Sequence, residues 1–436
     1  MRIPPQPHFT AGITGKPEGD GGGCPYMSVS DSQRGFDTSP DRDWVPTDVY
    51  DWMSKEKSIL VLNYTMACPL KCDFCCYSCH SGRASQKMPV DLAFSLVDQA
   101  ATLGVFSSIA FTGGEPLLFP DEVCAIAERA QSHSLPFTIA TACHWADSPE
   151  SAEALIDRLA DLGLSRLNVS HDPAHAEFVR TANVINACNA SLRRQVDTYV
   201  VGTFADAGES LAGYAPELAG IPGLRLFNKY IAKVGRAASR PITQSTYGLH
   251  LGLDDLACYR RIYHDLVVFW DGRTYPCCST FNRSTPGIQA GNAHFESLKD
   301  IWDRVDGSLL LRTMKRKGLG ELYRIIEERD PELAAELPRV ESSAGPCSLC
   351  HAIFGTRSMS DRVKRAFSGY EADKTLKAID AIEGMLGRSK TTEILAEIVD
   401  MAPQDGVSEV SSSNLQFLPM PRIRAKTEGS EANDGE

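Results

Sequence analysis

The chain predicts an α/β fold: an open, curved partial barrel of six parallel strands, followed by a smaller cysteine-bearing domain. Three observations carry that reading. Short β-rich runs alternate with helical ones between about residues 58 and 231, the strands number six rather than eight, and the texture changes at Cys258. Alternation of this kind makes βαβ units, a parallel sheet and right-handed crossovers. Six strands are too few for the eightfold barrel, and loops that carry chemistry are expected at the strands' C-terminal ends.

The first strand, "SILVLNYTM" (58–66), runs straight into a stretch with five cysteines between Cys68 and Cys79. "PVDLAFSLVDQAATLG" (89–104) has amphipathic helical spacing, with Pro89 and Asp91 at its start and Gly104 at its end. Next come "SSIAFTGG", a helix near 120–133, "PFTIATA", a helix near 149–162 and "SRLNVSHD". A helix near 174–193, "DTYVVGT" and "LRLFNKYI" complete the series. After Cys258, "LVVFWDGRTYPCCSTFN" reads as a hairpin turning at Asp271 and Gly272. "SLKDIWDRV" is a short helix, residues 308–338 are charged and helical, and "PCSLC" (346–350) adds two thiols. A final helical pair is expected over 370–401, with Leu376, Ile379, Ile382 and Leu386 at helical spacing.

The expected organisation is a low-order tail over 1–50, the partial barrel over 51–245, a cysteine-bearing domain over 246–360, helices over 361–402 and a disordered tail over 403–436. The net charge of −12 supplies no basic field for a nucleic-acid backbone, so no nucleic-acid partner is expected. The N-terminal stretch has no apolar h-region, and no segment reaches the roughly 18 uninterrupted apolar residues of a membrane span. A cytoplasmic protein without a membrane partner is therefore expected. Disulfides rarely persist in that compartment, and 14 cysteines then point to metal binding or thiol chemistry.

The crowded stretch "MACPLKCDFCCYSCHSG" admits disulfides, a structural zinc or an iron–sulfur cluster. Cys68, Cys72 and Cys75 follow the pattern Cx3Cx2C, with Phe74 before the third cysteine. Three thiolates on one tight loop can hold three irons of a [4Fe–4S] cube and leave the fourth open to a small chelating ligand. Zinc would take a fourth closed ligand, and His80 with Cys72, Cys75 and Cys79 could provide such a set.

The loop resembles that of the radical S-adenosylmethionine (SAM) enzymes. Gly113, Gly114, Glu115 and Pro116 in "FTGGEPLL" match that family's GGEP motif after the second strand, and Ser170 and Asp172 stand where the family contacts ribose. Arg236 in "KVGRA" follows the sixth strand, as in members with a C-terminal cluster domain. The resemblance covers roughly residues 58–240. It implies a [4Fe–4S] cluster that binds SAM, passes it an electron and releases a 5′-deoxyadenosyl radical to take hydrogen from a substrate. An electron donor such as flavodoxin or ferredoxin is implied as well.

Cys258, Cys277, Cys347 and Cys350, spread over a hairpin, a helix and a distant CxxC, resemble the SPASM and twitch domains of the same superfamily. A full SPASM domain carries further cysteines after the CxxC, and none follows Cys350. The resemblance therefore implies a twitch-like domain with one auxiliary [4Fe–4S] cluster. Zinc would suit the same four thiols, and Cys278 could replace Cys277. Cys79 and Cys143 stand as candidate redox or hydrogen-donor thiols beside their plainer reading as buried wall residues. His171 reads as wall.

Members of this family with such domains include many that crosslink or epimerise ribosomally made peptides, and a peptide substrate is the expectation. Dehydrogenation or epimerisation of a small metabolite such as an aminoglycoside is the alternative. A non-enzymatic electron-transfer or metal-binding protein is the alternative of another class.

Overall fold

The structure is a computed structural model, and it describes residues 58–242, 251–256, 258 and 265–401. The tails expected at 1–50 and 403–436 lie outside the described residues.

Six parallel strands alternate with helices: β1 (Ser58–Thr65), α1 (Val90–Leu103), β2 (Phe106–Gly113), α2 (Pro120–Ser132), β3 (Phe137–Thr141), α3 (Pro149–Asp161) and β4 (Leu164–Ser170). The series continues with α4 (Pro173–Ala176), α5 (Thr181–Arg193), β5 (Asp197–Phe204), α6 (Leu211–Tyr214), α7 (Pro216–Ala219) and β6 (Arg225–Tyr230). The strands lie side by side in chain order, β6-β5-β4-β3-β2-β1. With no reversal of order, right-handed crossovers put every helix on one face, and the sheet is a partial (β/α)6 barrel rather than a doubly wound one. The helix predicted over 174–193 is two pieces, α4 and α5.

Local sequence explains the helix ends. Gly104 stops α1 in the left-handed region at φ 65°, its amide closing back on the Ala100 carbonyl. Ser148 and Ser151 form a capping box at the start of α3, with Pro149 in the first turn. The main core lies between sheet and helices. Leu60, Leu62 and Tyr64 of β1 meet Leu96 and Val97 of α1 there, while the alternate residues Ile59 and Val61 face the other side.

The hairpin strands β7 (Leu266–Phe269) and β8 (Arg273–Tyr275) do not make a separate sheet. β7 pairs in parallel with β1, Leu60 opposite Leu266, and β8 and β9 (Gly291–Asn292) extend the same nine-stranded sheet. Helices α8 (Leu298–Gly307), α9 (Leu309–Arg316), α10 (Gly318–Arg329), α11 (Pro331–Glu336), α12 (Pro346–Phe354), α13 (Arg357–Leu386) and α14 (Arg388–Met401) follow. Leu322, Ile326, Leu349, Phe354 and Val363 form a second core there.

The final pair of helices begins earlier than predicted. α13 runs unbroken from Arg357 through residue 370 to Leu386 and ends at Gly387, φ 77°. Leu376 and Leu386, which the spacing marked as apolar contacts, are exposed. Among the described residues, no helix is long and apolar enough to cross a membrane.

Candidate active site

The cysteine loop leaves β1 at Thr65 and is pinned from three sides. The return segment holds its start, Met66 donating to the Gln86 carbonyl at 2.8 Å and Met88 to the Tyr64 carbonyl at 2.7 Å. The end of β2 holds the next residues: Gly114 donates to the Thr65 carbonyl at 2.6 Å and Glu115 to that of Ala67 at 2.8 Å. A methyl group on Gly114 would stand 2.0 Å from the Ala67 oxygen, so only glycine allows this approach.

The third clamp is the segment after β6. Arg236 donates through Nε to the Cys72 carbonyl at 2.6 Å, through Nη1 and Nη2 to that of Cys79 at 3.0 and 2.9 Å, and through its amide to that of Cys75 at 3.1 Å. Gly235 beside it has φ 61°, and a Cβ there would fall 2.3 Å from the Cys75 oxygen. Expected among the cofactor-binding residues, Arg236 is occupied with holding the loop.

Within the loop, burial pushes the Cys68 thiol up to about 12, with Glu115 and, more weakly, Cys72 and Cys75 adding to the rise. The Cys79 thiol is buried against Cys75. Their hydrogen bond pulls Cys75 down to about 5 and pushes Cys79 up, so Cys75 is the thiolate of the pair. The Cys79 amide also donates to the Cys75 sulfur at 3.3 Å. Cys79 touches the loop's third cysteine and is closed to solvent.

Glu115 is buried. Its carboxylate accepts from the amides of Leu117 (3.1 Å) and Ala142 (2.7 Å) and from the Thr141 hydroxyl at 3.0 and 3.1 Å. It ties the end of β2 to the end of β3. Burial pushes its carboxyl up to about 7 against the pull of those donors. Pro116 opens the short turn that follows, and Ser170 ends β4 half-buried.

Asp172, which the resemblance put at the ribose, is fully buried, and its carboxylate is taken up by the amides of Ala174, His175 and Thr203 and by the His175 ring. Cys143 does not face the mouth of the sheet. Its left-handed φ of 60° turns the side chain into the main core, where Cys188 is its neighbour and burial raises its thiol. His171, read as wall, is buried against Thr181.

The second constellation is gathered across the chain. Burial raises the Cys347 and Cys350 thiols, and Cys258 and Cys277 add to the rise at both, with Cys350 and Cys278 adding to it at Cys347. Cys278 packs beside Tyr77 and the inner-face residues Val61 and Phe269. Buried Lys315 donates to the Pro276 carbonyl at 3.1 Å and lowers the Cys277 thiol, which burial pushes up to about 12. Tyr77 joins the two constellations, its hydroxyl donating to the Ser279 carbonyl at 3.1 Å. Lys315, Tyr77 and His175 carried no motif that would have marked them.

Among the described residues, no three His, Cys, Asp or Glu side chains stand placed to hold a metal ion. The donor sets nonetheless fit iron–sulfur groups: three thiols on one pinned loop beside glycine-permitted backbone, and four thiols from three segments elsewhere. Sheet order and the two thiol groups describe a partial-barrel protein with two sets of cysteines.

Comparison with known proteins narrows the class. The radical SAM superfamily model matches residues 62–197, and the SPASM iron–sulfur cluster-binding domain matches residues 258–317. The "Putative peptide biosynthesis protein YydG" of Bacillus subtilis (strain 168) is 24% identical over 297 residues, 68% of this chain and 91% of that protein. The "PqqA peptide cyclase" of Granulibacter bethesdensis is 30% identical over 118 residues, 27% of this chain and 30% of that one. Among solved structures, BtrN in complex with AdoMet and 2-DOIA is similar at TM-score 0.38 and 17% identity, over 62% of this chain and 91% of that one.

The chain thus carries a radical SAM domain over residues 62–197 and a SPASM iron–sulfur cluster-binding domain over residues 258–317. Its radical SAM domain binds a [4Fe–4S] cluster and SAM, and its SPASM domain binds auxiliary iron–sulfur clusters.

Proposed function

We propose that the enzyme modifies a ribosomally made peptide, by crosslinking or epimerisation. The observation that carries this reading is the similarity to YydG, which extends over 68% of this chain and 91% of that protein. The local similarity to a peptide cyclase agrees with it.

Cys68, Cys72 and Cys75 are assigned to the SAM cluster, and Cys258, Cys277, Cys347 and Cys350 to one auxiliary [4Fe–4S] cluster. When bound, the first group supplies one-electron cleavage of SAM and so the means of taking hydrogen from the substrate. The chain's own residues hold and shield. Gly113 and Gly114 let backbone approach SAM, Phe74 walls the loop, and Glu115 is the carboxylate placed for the methionine ammonium. Arg236 keeps the loop carbonyls in register. The barrel is assigned to residues 51–245 and the cluster domain to 246–360, with the enzyme working in the cytoplasm on electrons from a flavodoxin or ferredoxin.

The test is an anaerobic incubation of reconstituted enzyme with SAM, dithionite and peptides encoded by short neighbouring reading frames. Mass spectrometry should find either loss of two hydrogen atoms or, in D2O, deuterium gained at one α-carbon. Turnover of a sugar or other small metabolite, with every such peptide unchanged, would overturn the peptide reading.

A further inference from the structure

Asp172 commits all its hydrogen-bonding capacity to one imidazole and the backbone around it. Its Oδ1 accepts from the amides of Ala174 and His175 at 3.1 and 3.0 Å. Its Oδ2 accepts from the Thr203 amide at 3.1 Å and meets Nδ1 of His175 at 2.8 Å. A buried carboxylate with four donors is a rigid post, and the imidazole it holds has one orientation.

That orientation aims His175 at the cysteine loop. Its ring meets Phe74 edge-on, centroids 5.6 Å apart and planes at 60°, and its chain neighbour Ala174 packs against the buried group that contains Cys72. The chain thus brings the turn after β4 against the middle of the CxxxCxΦC loop, through a histidine that belongs to neither motif.

We propose that His175, fixed by Asp172, donates a hydrogen bond to the Cys72 sulfur and thereby sets the reduction potential of the SAM cluster. It is a positioning residue that acts through a ligand. A donor on a ligating sulfur stabilises the more negatively charged, reduced cluster, so it raises the potential. Asp172, on this account, serves the cluster rather than the ribose. The inference rests on Cys68, Cys72 and Cys75 being the cluster mount.

The experiment uses the full chain, reconstituted anaerobically, as wild type, His175→Gln and His175→Leu. Iron is counted, and both clusters are titrated potentiometrically and followed by electron paramagnetic resonance. Glutamine keeps an N–H donor and leucine does not. The expected result is unchanged iron, a SAM-cluster midpoint shifted to more negative potential in His175→Leu, a smaller shift in His175→Gln, and an unmoved auxiliary midpoint. Wild-type midpoints in both variants would overturn the inference and leave the cluster assignment standing. Equal shifts in the two variants would overturn it as well, since they mark a packing role.

Iron at the auxiliary site alone in the wild type would instead defeat the assignment beneath it. Should the leucine variant take up no iron at the first site, wild-type enzyme labelled with nitrogen-15 histidine decides. A weak nitrogen coupling to the reduced SAM cluster, lost in His175→Gln, is expected. No coupling, or the strong coupling of a directly bonded nitrogen, overturns the proposal.

Discussion

Arg236 grips Cys79 across 157 residues of chain, both terminal guanidinium nitrogens donating to one carbonyl at 3.0 and 2.9 Å. The same side chain reaches the Cys72 carbonyl, so one cation spans both ends of the segment that carries Cys75. Charge-assisted bonds of this kind contribute on the order of 1.5–3 kcal/mol each. Arg236→Ala is therefore expected to loosen the loop by several kcal/mol. Iron should be lost faster from the SAM site than from the auxiliary site when a chelator is added, and Arg236→Lys should recover only part of the difference.

Gly235 and Gly104 make a matched pair. Both sit in the left-handed region, at φ 61° and 65°, but a Cβ on Gly235 would strike the Cys75 carbonyl while one on Gly104 would meet nothing within 4 Å. Gly104→Ala should cost only the backbone preference, about 1 kcal/mol in denaturant unfolding. Gly235→Ala should cost more and also lower iron at the SAM site. Equal costs, with iron intact in both, would show that the approach of this segment to the loop is not required.

Glu115 gives stability a pH signature. A buried acid raised to about 7 keeps its proton in the folded protein while the unfolded chain, with an ordinary carboxyl, has released it. Its contribution therefore falls as pH rises from the ordinary carboxyl range to about 7, and is flat above. The unfolding midpoint of cluster-free wild type minus that of Glu115→Gln should decline across this window. If Glu115 also seats the methionine ammonium, SAM affinity should strengthen over the same range, because a cation favours the ionised carboxyl.

The alternation of strands and helices was legible because each element carries its own period, and the thiol loop because Cx3Cx2C is a local pattern. What was not legible depends on chain segments meeting. "KVGRA" was visible, but nothing local says that Gly235 lies against Cys75. Asp172 was visible at a strand end, while its bonds to the Thr203 amide of the neighbouring strand and to the His175 ring were not. Cys143 follows the end of β3, and nothing local marks the φ of 60° that goes with its place in the main core. The hairpin was read as a separate unit because antiparallel strands pair locally; that β7 would lie beside β1 is a tertiary fact.

The central claim is that Cys68, Cys72 and Cys75 hold a cluster separate from that of Cys258, Cys277, Cys347 and Cys350. The direct measurement is iron content and 5′-deoxyadenosine formation, after anaerobic reconstitution with SAM and dithionite, in the triple variant Cys68→Ala, Cys72→Ala, Cys75→Ala. The account predicts loss of one cluster's worth of iron and of all 5′-deoxyadenosine, with the auxiliary signal intact. Loss of both clusters together, or 5′-deoxyadenosine formed at the wild-type rate, would contradict it.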